Sequence, residues 1–147
     1  MLRRHALPAR ILALMLLLAA ATAVAQEAPH PVHVYFFWGE GCPYCTLQKT
    51  FLEGLVADHP NVVVRAFEVY FVEENRAVLM AMAAAFGRDV RGVPMTFIGD
   101  EVWVGYSDAL GRQMRAAVER YQAYEAPDPA DRLSVMLRDR VRGEGAP

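Results

Sequence analysis

Gly41-Cys42-Pro43-Tyr44-Cys45 holds both cysteines of a 147-residue chain. Two thiols three positions apart can close a small disulfide and open it again. A C-x-x-C pair by itself also fits half of a zinc site, so its setting decides the reading. Before it runs Val32-His33-Val34-Tyr35-Phe36-Phe37-Trp38, with the character of a central parallel strand, apolar on both faces. After it, Leu47, Phe51, Leu52, Leu55 and Val56 recur at helical spacing until His59-Pro60. Cys42 then falls at an N-cap and Pro43 at the first helical position, which proline favours.

The rest of the chain continues the alternation. Asn61 leads into a strand from Val62 to about Tyr70. Glu73 and Glu74 open an Ala/Met-rich helix that ends at Phe86-Gly87, their charge suiting the positive end of its dipole. Met95–Ile98 and Glu101–Gly105 are two strands joined by Gly99-Asp100, a tight-hairpin pair. Ser107 or Asp108 caps a helix with Leu110, Met114, Ala117, Val118 and Tyr121 on one face. The order β-α-β-α-β-β-α, with a right-handed first crossover, predicts a four-stranded mixed sheet ordered 2-1-3-4 in an α/β sandwich. About three helices flank it. Beyond Ala126-Pro127-Asp128-Pro129, residues Leu133, Met136, Leu137 and Val141 predict a short terminal helix capped by Asp128, packed on the domain, with a disordered end from Gly143.

The chemistry centres on Cys42. At an N-cap its sulfur faces unpaired backbone N–H groups and the positive end of the dipole, which favour thiolate; such cysteines titrate between about 3.5 and 7.5. Cys42 is the expected nucleophile. Cys45, one turn further in, is placed to attack the resulting mixed disulfide and release the product. Pro43 and Tyr44 between them tune the acidity of Cys42 and hence the reduction potential. A bridge across two residues closes too small a loop to contribute much stability, so chemistry explains the pair better than structure does.

Taken with Arg91-Gly92-Val93-Pro94 before the third strand, these residues resemble the thioredoxin-like superfamily over roughly Val32 to Tyr124. Cys-Pro-Tyr-Cys is similar to the glutaredoxin motif, whereas Trp38-Gly39-Glu40-Gly41-Cys42 and the Val93-Pro94 stretch look more like thioredoxin. The resemblance implies a cis Val93-Pro94 bond facing the cysteines, with Val93 offering backbone hydrogen bonds to an extended substrate and Pro94 keeping metals off the sulfurs. Trp38 and Tyr44 would line an apolar rim. Two positions depart from the pattern. Phe36 stands where many thioredoxins carry a buried aspartate, leaving Glu40 as an exposed stand-in. Gly105-Tyr106-Ser107-Asp108 is similar to the Gly-Gly-x-Asp stretch with which glutaredoxins hold glutathione, but Tyr106 replaces the second glycine.

Location is expected from the first 25 residues, which have the composition of a signal peptide. Arg3, Arg4 and Arg10 precede the uncharged run Ile11–Ala25, and Ala23-Val24-Ala25 fits a cleavage site. The run is about fifteen residues, short of the roughly 20 that span a bilayer as a helix. Cleavage would leave residues 26–125 as the thioredoxin-like domain and 126–147 as an extension. It would also remove three of 15 basic residues and none of 17 acidic ones, leaving a net charge of −5. That balance offers no basic surface for nucleic acid.

The chain is thus expected to be an exported, periplasmic, monomeric thiol–disulfide oxidoreductase. Its partners would be protein thiols and disulfides and a redox partner that is itself a candidate membrane protein. No cofactor and no metal are expected, since the dithiol carries two electrons itself. His30, His33 and His59 read as scattered polar residues, and methionines such as Met80, Met82, Met95 and Met114 as core packing. Two alternatives use the same cysteines: a metal-binding or metal-delivery module, and a glutaredoxin-like, glutathione-dependent reductase.

Overall fold

A computed structural model describes residues 30–144; the expected signal peptide lies outside them. Four strands form one sheet in the order β2-β1-β3-β4. β1 (Val32–Trp38) pairs in parallel with β2 (Val62–Glu68) and antiparallel with β3 (Met95–Ile98), which pairs antiparallel with β4 (Glu101–Val104). β1 and β3 occupy the centre because their residues are apolar on both sides. This is the thioredoxin-like sandwich.

Alternation along the strands divides the core in two. Val32, Val34, Phe36 and Ile98 face helices α1 (Pro43–Asp58) and α3 (Asp108–Ala123), where Leu52, Leu55, Met114, Ala117 and Val118 close the layer. Tyr35, Phe37, Met95 and Phe97 face α2 (Glu73–Ala85), which supplies Leu79, Met82 and Ala83. On that side the Phe37 ring stacks on Phe67 at 5.0 Å and meets Phe97 edge-on at 5.7 Å. Such pairs add about 0.5–1.5 kcal/mol each beyond area burial.

A fourth helix, α4 (Pro129–Glu144), completes this second layer, with Ala130 and Leu133 packed against the α2-side cluster. Asp128 accepts the Ala130 N–H at 2.9 Å at its start. The expected terminal helix is present: at 16 residues it equals α1 and α3 in length and carries Gly143 within it, while residues 145–147 of the expected disordered end lie outside the described residues.

β2 also ends earlier than the apolar run suggests. Glu68 turns its carboxylate onto the N–H groups of Tyr70, Phe71 and Val72, which stops the ladder and leaves Phe71 81% exposed.

Candidate active site

The end of β1 and the start of α1 converge on the two cysteines. Gly41 turns the chain at φ +75°, a conformation that favours glycine, and the Cys42 N–H bonds the Gly39 carbonyl at 3.2 Å. Cys42 is the N-cap of α1 with extended backbone, Pro43 opens the helix, and the Cys42 Sγ accepts the Cys45 N–H at 3.2 Å. No acidic side chain occupies the first turn to compete for the dipole. The two residues are joined by a disulfide, with Cα atoms 5.2 Å apart. Cys42 is 8% exposed and Cys45 1%. Solvent therefore meets Cys42 before Cys45.

The opposite wall is the segment before β3. Val93-Pro94 is a cis peptide. The Val93 carbonyl oxygen lies 3.8 Å from Cys42 Sγ; in the disulfide this is a contact, and it becomes a hydrogen bond only once Cys42 carries a proton. Pro94 is buried, and its carbonyl accepts the Gly105 N–H at 2.7 Å, which ties the wall to the end of β4.

Beside the dithiol runs a groove of about 570 Å³ lined by Tyr44, Leu47, Thr50, Phe51, Tyr106 and Asp108, among others. Tyr44 and Leu47 are 60% and 57% exposed. Leu47 therefore faces outward, although its spacing places it with the core positions of α1. Tyr106 stands over Phe51, ring centroids 5.7 Å apart, and burial followed by the Asp108 charge raises its pKa. Trp38 is half-buried, with Lys49 Nζ 2.9 Å from the centre of its ring. Phe36 is buried among the side chains around Cys42 and Cys45, so no carboxylate lies at that point behind the dithiol.

Two polar features near the site are missed by sequence reasoning. Gln48, one turn past Cys45, is wholly buried and donates to Thr96 Oγ1 at 2.6 Å. Glu68 accepts the Glu40 N–H at 3.2 Å and so braces the loop before Cys42. A polar residue amid an apolar helical stripe was the available signal for the first; nothing local signals the second. The histidines sit apart from the sulfurs: His33 lies 3.8 Å from Asp128, and His59 bonds Gln122. Among the described residues, no three or more His, Cys, Asp or Glu side chains gather as a metal would require. No described helix is long and apolar enough to cross a membrane.

No family model matches the chain, and no curated protein does. Among solved structures, it is similar to a protein of Agrobacterium tumefaciens at 21% identity and a TM-score of 0.54, covering 67% of this chain and 48% of that one. That likeness shows a shared fold, and the chain spans about half of that protein. A thioredoxin mutant from Halobacterium salinarum aligns at 28% identity over 63% of this chain and 76% of its own, with a TM-score of 0.47. A glutaredoxin from Archaeoglobus fulgidus aligns at 23% identity over 58% and 87%, with a TM-score of 0.41.

Proposed function

We propose that the chain is an exported thiol–disulfide oxidoreductase that exchanges two electrons with protein dithiols and disulfides through Cys42 and Cys45. The observation that carries this is the asymmetry of the pair. Cys42 sits at a helix N-cap where backbone N–H groups face its sulfur, and it is the more exposed, while Cys45 is sealed beneath it. In the reducing direction the Cys42 thiolate attacks a substrate disulfide and forms a mixed disulfide, expelling one substrate thiolate. Cys45 then gives up its proton and attacks Cys42 Sγ. The second substrate thiolate leaves, and the substrate has gained two electrons that the Cys42–Cys45 pair has lost. Oxidation of a substrate dithiol is the same path reversed.

Within this reading Val93 and Pro94 form the wall opposite the sulfurs, Tyr44 and Tyr106 line the groove beside them, and Trp38 adds an apolar flank. Pro43 and Tyr44 set the acidity of Cys42. The basic start, the apolar run and the Ala23-Val24-Ala25 site favour export to the periplasm.

The test is trapping. Cys45→Ser should accumulate mixed disulfides with protein substrates, and Cys42→Ser should accumulate few. Equal trapping by both variants, or alkylation of Cys45 before Cys42 in the reduced protein, would overturn the assignment.

A further inference from the structure

Gln48 is a buried carboxamide that is only half satisfied. Its Nε2 donates to Thr96 Oγ1 at 2.6 Å and contacts Met114 Sδ at 3.5 Å, which uses the nitrogen end. Its Oε1 is buried and has no hydrogen-bond partner among the described residues. An acceptor left unpaired in the interior keeps its full desolvation cost, so a state of the protein that supplies a donor is favoured by it.

One candidate donor lies a turn away. Cys45 precedes Gln48 by three residues in α1, a spacing that puts two side chains on one helix face. Both are sealed, Cys45 at 1% exposure and Gln48 at 0%. In the disulfide, Cys45 Sγ has no proton. When Cys42–Cys45 takes up two electrons and two protons from a substrate dithiol, which becomes a disulfide, Cys45 becomes an S–H donor in an apolar cluster. Thr96, also wholly buried and paired across the sheet with Phe36, holds the nitrogen end of the carboxamide and so turns the oxygen away from itself.

We infer that Gln48 is a positioning residue for the dithiol: its Oε1 accepts a hydrogen bond from the Cys45 thiol in the reduced state and biases the couple toward the dithiol. This rests on the thiol–disulfide reading above. Because S–H is a weak donor, the bias is modest.

Equilibrating the protein with glutathione buffers and counting free thiols by alkylation reads it directly. Gln48→Leu should shift the equilibrium about threefold toward the disulfide, about 14 mV for a two-electron couple. Thr96→Val should shift it the same way by less, and serves if Gln48→Leu does not fold. In a Cys42→Ser background, the infrared S–H band of Cys45 should move to higher frequency when Gln48 becomes Leu. An unchanged equilibrium, with both redox forms stabilised or destabilised equally by Gln48→Leu, would overturn the inference. If the parent couple never equilibrates with glutathione, the oxidoreductase reading fails, and the S–H band still decides whether Gln48 contacts Cys45.

Discussion

Glu68 Oε1 accepts the backbone N–H of Glu40 at 3.2 Å, so the last residue of β2 holds the loop that presents Cys42. The same carboxylate takes the N–H groups of Tyr70, Phe71 and Val72. Desolvation pushes its pKa up, but the donors at Phe71, Tyr70, Glu40 and Val72 together outweigh it and hold the carboxyl below the ordinary glutamate range. Stability from a depressed carboxyl is present above the unfolded value and is lost as pH falls through the folded one. Glu68→Gln should therefore loosen the loop near neutrality and remove part of the loss of stability on acidification. Amide exchange at Glu40, corrected for intrinsic rates, checks both; unchanged protection in the variant would remove the brace.

The strands were legible because turn residues bracket their apolar runs: the bounds of β1 and β3 follow directly from Val32–Trp38 and Met95–Ile98. The cysteines and Pro94 were legible because their residue types are chemically distinctive. Gln48 was not, since periodicity counts apolar residues, and Leu47 and Val56 kept the stripe plausible while facing solvent. The length of α4 was hidden for another reason. Arg132, Arg138, Asp139, Arg140 and Arg142 weaken its apolar signal, and only part of one face, at Ala130 and Leu133, is packed against the core. The role of Glu68 depends on loops that converge only in three dimensions.

Gly39 faces the ring of Tyr70, and a Cβ added there would overlap that ring. Tyr70 is 49% exposed, so the ring has room to move aside. Gly39→Ala should lower unfolding free energy by about 1–2 kcal/mol. In a Tyr70→Ala background the same substitution should cost less by at least about 0.5 kcal/mol. Urea midpoints of the four proteins measure the coupling, and additive effects would mean that the ring does not limit this position.

The last helix is bound to the body of the protein by Leu133 and by Arg132, whose guanidinium lies 4.5 Å from the Phe86 ring centre and bonds Asp100 at 2.6 Å. Leu133 is half-buried, so Leu133→Ala should cost about 2 kcal/mol, the low end for a core leucine. The dithiol lies against the other core cluster, so the glutathione equilibrium should not move. A shifted equilibrium would show that α4 communicates with the Cys42–Cys45 pair.

Tyr35 gives the alkaline limit. Its pKa is pushed up to about 12, first by burial and then by the nearby Asp128 carboxylate; Asp131 adds to the rise and Arg65 opposes it. The neutral phenol is favoured by folding, so its contribution is complete below the unfolded value near 10 and is lost as pH rises to about 12. The parent should lose about 2–3 kcal/mol across that interval through this group. The stability of Tyr35→Phe should fall less steeply above pH 10. The measurement is denaturant unfolding of the oxidised proteins, whose two cysteines are both in the disulfide and leave no thiol to scramble at high pH. The two proteins differ only at residue 35, so the difference between the two curves isolates Tyr35. Parallel curves from pH 9 to 12 would mean that Tyr35 ionises alike in the folded and unfolded chains.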